Sequence, residues 1–113
     1  MLKYYKLDEN KQPIECELLE WADMREDTEG RTIGNDEIVA KDGTTAHITT
    51  MFHGEDFTNA LTDNEPQLFG TLITVRREEG GETQEELKAK TWEEAEKNHR
   101  DLVGHYKFAL GVK

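Results

Sequence analysis

Cysteine is almost missing from this chain: Cys16 stands alone among 113 residues, so no intramolecular disulfide can close and a reducing cytoplasm is the expected compartment. Glu15 and Glu17 flank that thiol and would raise its pKa, so Cys16 reads as a small apolar or capping residue rather than a nucleophile. No apolar run approaches the length of a signal-peptide core or a membrane span. Basic residues are in the minority, 14 Lys and Arg against 25 Asp and Glu, for a formal net charge of −11. Such a charge repels a phosphate backbone and gains nothing from anionic lipid, which argues against direct nucleic-acid or membrane binding. The simplest role for the excess carboxylates is solubility; the sharper alternative is that they imitate nucleic-acid phosphates in the basic groove of a partner.

Several chemical signatures are also lacking. No Cys-x-x-Cys or His-x-x-x-His spacing points to zinc, and Gly80-Gly81 is followed by acidic residues instead of the lysine and helix start of a phosphate-cradling loop. Nothing in the chain implies a cofactor.

What remains suffices for one modest core. The apolar and charged shares are each 35 %, and two Trp, three Tyr and four Phe argue against wholesale disorder. Residues 1–113 are read as a single domain, since a chain this short has no room for a second core.

Along the chain, KYYKL at 3–7, a turn at 8–11 and Gln12-Pro13-Ile14 predict an N-terminal hairpin. From Cys16 the spacing turns helical, with Leu18, Leu19, Trp21 and Ala22 expected on the buried side and Glu17, Glu20 and Asp23 outward. The apolar-free run 25–30 (REDTEG) predicts a helix stop and a loop. Glu37 to Lys41, then Asp42-Gly43, then Thr44 to His53 predict a hairpin closed by a two-residue type I′ turn. In its second arm Ala46, Ile48, Thr50 and Phe52 share the core face. Residues 54–67 read as a surface loop anchored by Phe57 and Leu61, 68–77 as a strand, 78–81 as a turn, and 84–90 as a short edge strand. Thr91 and Glu94 form a capping box, and Trp92, Ala95, His99, Leu102, Val103 and Tyr106 make a helical stripe. The expected fold is α+β: a small antiparallel sheet of four to five strands packed against a long C-terminal helix, plus a short N-terminal helix.

Taken in order, YYKLDENKQPIECELLEWA at 4–22, HITTMFHGEDF at 47–57, PQLFGTLI at 66–73 and TWEEAEKNH at 91–99 resemble a family of small uncharacterised phage and prophage proteins. That family's blocks are a Tyr-x-Leu-Asp opening and a Pro leading into Glu-Trp-Ala, two strands ending in Gly-Leu-Asp-His and carrying Leu-Phe-Glu-Thr, and a final Thr-x-Glu-Glu-Ala helix with a His. Glu20-Trp21-Ala22, Thr50, Phe52, Gly54, Asp56, Phe69, Thr71, Thr91, Ala95 and His99 fall on family positions. Phe57 stands where the family has His, and Gly70 where it has Glu, so a constellation built on that pair would be lost here. The resemblance implies a role inside an infected or lysogenic bacterium and no established activity.

Two groups of residues merit chemical attention. His53 with Glu55 and Asp56 could form a loop site for a divalent ion, the alternative being an ordinary polar loop. His47 shares a strand face with His53 but lies roughly 20 Å away along an extended strand, too far to share an ion. His99, on the apolar stripe, is within reach of Thr50 or Thr71, either as a hydrogen-bonded core histidine or as a general base in a helix-to-sheet pocket with Asp56 as orienter. These residues support three expectations: a non-enzymatic module that binds a host or phage protein; a binder of a small ligand or nucleotide derivative, with His99 and the 54–67 loop lining its pocket; and, third, a metal-dependent enzyme. A homo-oligomer is compatible with each.

Overall fold

The structure, a computed structural model, describes residues 3–56 and 67–112. Phe57 and Leu61, the expected loop anchors, lie outside the described residues. The elements run β1 (Lys3–Leu7), β2 (Pro13–Cys16), α1 (Leu18–Glu26), α2 (Thr28–Arg31), β3 (Thr32–Val39), β4 (Thr45–Phe52), β5 (Glu55–Asp56), β6 (Phe69–Arg76), β7 (Glu82–Ala89) and α3 (Trp92–Ala109). Four strands form an antiparallel meander in the order β3-β4-β6-β7, and a smaller sheet has the order β2-β1-β5. This is the expected α+β arrangement, with α3 laid across one face of the larger sheet.

Strand alternation explains which face α3 covers. Ala46, Ile48, Thr50 and Phe52 of β4 are all buried, while His47 on the alternate face is exposed. Register sets Ile48 beside Ile73, Thr50 beside Thr71 and Phe52 beside Phe69. The stripe of α3 meets this face in two apolar groups. Ala95 and Trp92 join Phe52, Leu68, Phe69 and Ala89, whereas Leu102, Val103 and Tyr106 join Ile38, Ala46, Ile48 and Ile73. Thr91 caps α3, its hydroxyl accepting from the Glu94 N–H at 3.1 Å, which is one half of the expected capping box.

The reversal at Asp42-Gly43 is real but of another type. Ala40 N–H donates to the Thr44 carbonyl (2.8 Å), Gly43 N–H donates to the Ala40 carbonyl (3.1 Å), and Gly43, unlike Asp42, takes positive φ (92°). Pairing therefore stops one residue earlier than a type I′ turn requires, leaving a three-residue loop whose last member is left-handed. The β6–β7 loop repeats the pattern through Arg77, Gly81 and Gly80 (φ 100°), and the β1–β2 loop repeats it through Asp8, Gln12 and Lys11 (φ 64°). These loops make a graded prediction. Gly80→Ala, with open space around the new Cβ, should lose about 1 kcal/mol from backbone conformation alone. Gly43→Ala should lose more, because its Cβ would lie 2.7 Å from a Glu78 carboxylate oxygen that must move. Urea unfolding of both variants measures the difference.

The N-terminal region departs further from expectation. Cys16 closes β2 opposite Tyr4 instead of opening the helix, which starts at Leu18 behind a Glu17–Glu20 capping box. Leu18 (51 % exposed), Leu19 (78 %) and Ala22 face solvent; Trp21 and Met24, one turn apart, face inward. So short a helix rests on the small sheet along a narrow line, with Trp21 4.9 Å from Tyr4 between ring centroids, and a broad apolar side has nothing to cover. The expected loop after α1 contains the single helical turn α2, whose Gly30 N–H is capped by Asp27. The first arm of the hairpin begins at Thr32, five residues before the expected Glu37, and the edge strand β7 begins at Glu82 rather than Gln84.

Gly54 joins the two sheets. Its φ is +74°, its carbonyl accepts from Tyr5 N–H at 2.8 Å, and a Cβ there would sit 2.4 Å from the Tyr5 carbonyl oxygen. No helix among the described residues is long and apolar enough to cross a membrane.

Candidate functional site

Of the residues singled out in the sequence, Thr50, Thr71 and His99 meet on one face of the larger sheet, His47 and His53 lie toward its other face, and Glu55 and Asp56 lie in β5 of the smaller sheet. Beneath α3, His99 is 7 % exposed, Thr71 2 % and Thr50 0 %. The Thr50 and Thr71 hydroxyls are 2.7 Å apart, His99 Nδ1 is 2.7 Å from the Thr50 hydroxyl, and His99 Nε2 is 2.7 Å from Asp36 Oδ2. One assignment satisfies the chain in a single direction: Nε2–H donates to the Asp36 carboxylate, and Nδ1 accepts from Thr50, which accepts from Thr71. Gly34 makes room for the ring, since a Cβ at that position would lie 2.4 Å from His99 Nε2.

The connectivity is that of a nucleophile relay: carboxylate, imidazole, hydroxyl. Its geometry serves packing instead. Thr50 is sealed beneath α3, so an incoming carbonyl has no approach to the hydroxyl, and both ring nitrogens of His99 are engaged. The imidazole fills the position where a helix-to-sheet ligand pocket was expected. His99 is thus the hydrogen-bonded core histidine that its place on the stripe allowed.

Asp36 and Gly34 escaped the sequence reading. Asn35, Asp36 and Glu37 show no apolar alternation, and Asp36 meets His99 from 63 positions away in the chain. The available signal was parity: Asp36 lies two residues before Ile38 and shares its face.

His53 lies on the other face, at the end of β4. Its ring lies over Gly70, where a Cβ would fall 2.7 Å from Nε2, and its carbonyl accepts from Trp21 Nε1 at 3.0 Å. The ring is solvent-accessible at the surface yet lies between two hollows. Desolvation lowers its pKa, with Arg31, Lys88 and Arg25 adding to the effect and Glu86 opposing it. One hollow of about 250 Å³ is lined by Arg25, Glu55, Gln67, Glu86 and Lys88 together with His53. The Glu55 carboxylate is engaged there by Arg25 at 2.9 Å. Asp56 lies in β5, its backbone paired with Lys3. Among the described residues no three His, Cys, Asp or Glu side chains converge as a bound metal ion would need.

The second hollow is a groove of about 300 Å³ along the face opposite α3, open among the described residues and lined by His47, Thr49, Met51, His53, Gly70, Leu72, Thr74 and Glu86. Leu72 is 45 % exposed at its floor, and Asn35 Oδ1 holds its far end in place, 2.6 Å from His47 Nε2 and 3.2 Å from the Thr49 hydroxyl. Gly70 deepens the groove because it places no side chain between Met51 and Lys88, its neighbours in register. Near the same end, Arg31 is buried and donates to the Phe52 carbonyl at 3.1 Å, while its Nε has no hydrogen-bond partner among the described residues.

Cys16 is unsuited to nucleophilic work. Burial first and Glu20 second push its thiol pKa up, Glu17 and Glu15 add to them, and Lys6 only partly opposes the shift. No family model, curated protein or solved structure matches the chain.

Proposed function

We propose that this chain is a non-enzymatic binding module, a phage or prophage accessory protein that engages a host or phage protein through the open face of the β3-β4-β6-β7 sheet. One observation carries the reading: α3 covers one face, while the other presents a preformed groove with Leu72 and Met51 at its centre and polar groups from His47, Thr49, Thr74 and Glu86 around it. Apolar surface ringed by polar groups is the usual composition of a protein contact. The buried relay supports the same reading, because its only candidate nucleophile is closed to a substrate. The net charge of −11 favours a partner with basic surface around its contact.

Affinity capture from host lysate at low salt tests the reading, using the unmodified chain, Leu72→Arg, and Asp101→Arg on the exposed side of α3 as a folded control. A specific partner should be held by the unmodified chain and the control and lost with Leu72→Arg, by about tenfold or more for a charge placed at the centre of a contact. Equal retention by Leu72→Arg, or no retained partner at all, would refute it.

A further inference from the structure

The larger sheet ends at β7, whose eight residues pair with β6 in unbroken register and whose other edge meets no strand among the described residues. Seven of the eight are exposed, and none is proline. A straight edge of this length offers a row of unpaired N–H and C=O groups to another strand. The opposite edge differs, because β3 is bulged at Ile33, between Thr32 and Gly34.

The charges of β7 discriminate among the ways it could pair with itself. Antiparallel neighbours related by a twofold axis normal to the sheet must have a register centred on one residue, which faces its own copy. Centring on Glu85, Glu86 or Lys88 opposes like charges at the axis. Centring on Gln84 sets Glu82 against Glu86 twice, Ala89 sets Lys88 against Lys90 twice, and Thr83 brings no opposite charges together. Centring on Leu87 places Glu86 opposite Lys88 of the second copy, twice, and Gln84 opposite Lys90, with no like-charged pair. It also sets Leu87, 42 % exposed on the α3 side of the sheet, against its own copy and buries both. Glu86 and Lys88 already neighbour each other within one chain, at 3.8 Å.

We infer that the chain forms a twofold dimer by antiparallel pairing of β7 with β7 of a second copy, in the register centred on Leu87. The two four-stranded sheets then become one eight-stranded sheet with both α3 helices on the same side. The inference does not rest on the open-face reading. It would set two such faces edge to edge.

Light scattering after gel filtration tests it at about 100 μM chain, where a contact of modest affinity is populated. The unmodified chain should have the mass of a dimer. Lys88→Glu opposes carboxylates twice across the axis, and Glu86→Lys opposes ammonium groups twice; each should weaken the dimer by at least about tenfold. The double variant E86K/K88E restores opposite charges and should dimerise like the original chain. Mixing the two single variants should yield a heterodimer, because one then carries two lysines and the other two glutamates at the paired positions. All four positions of the contact are exposed, so circular dichroism should be unchanged throughout. A monomeric unmodified chain, a dimer indifferent to Lys88→Glu, or a double variant as weak as the single ones would each overturn the proposal.

Discussion

His99→Ala should lower stability by about 3–4 kcal/mol, seen as a drop in the urea midpoint with little change in slope. The loss has two sources. Removing a buried ring leaves a void between α3 and Gly34, and the Thr50 hydroxyl loses its acceptor in a place where water does not replace it. Asp36→Asn provides the contrast. Asp36 is half exposed, and an amide oxygen can still accept from Nε2, so its cost should stay under about 1 kcal/mol. Comparable losses for the two variants would mean that the carboxylate, rather than the imidazole, holds this part of the core together.

Gly54→Ala should be at least as damaging, about 3 kcal/mol or more. A positive φ alone costs a side-chain-bearing residue about 1–2 kcal/mol, and here the added Cβ also meets the Tyr5 carbonyl at 2.4 Å. That obstacle is backbone within a hydrogen-bonded strand, so it cannot rotate away as Glu78 can at Gly43. Because Gly54 joins the sheets, the damage should concentrate on the N-terminal hairpin. Amide exchange at residues 4–7 should accelerate far more than exchange in β4 and β6, whose pairing does not pass through Gly54. Uniform acceleration across both sheets would show that they open as one unit.

The parts of the fold legible in the sequence are those in which local periodicity and burial coincide. The alternation from Ala46 to Phe52 and the stripe from Trp92 to Tyr106 read correctly because each residue's neighbours along the chain already define its face. Leu18 and Leu19 misled because helical spacing identifies an apolar side without saying what lies beneath it; α1 turns Trp21 onto Tyr4 of the small sheet and Met24 toward the Phe52 and Phe69 cluster, and leaves both leucines exposed. The Asp42-Gly43 loop misled by one residue, since its length depends on whether Ala40 or Lys41 is the last to pair. For the candidate site, the helix residue and its hydroxyl partners were legible, and the carboxylate was not. Asp36 sits in a polar stretch where nothing local distinguishes a core-facing acid from a solvated one. The groove on the open face was equally hidden, as it arises from the register that sets Gly70 beside Met51.

The hydroxyl and imidazole groups under α3 lie between the two apolar halves of the core, and this position restricts how the layers can fit. A purely greasy contact would tolerate the helix sliding by a turn, since one aliphatic group serves about as well as another. Such a slide would lay Ala95 or Leu102 over Thr50 and Thr71 and leave their hydroxyls dry and unmatched. The polar seam therefore works as a key: it contributes less to cohesion than the aromatic groups beside it, but it admits one alignment of helix on sheet and penalises the rest.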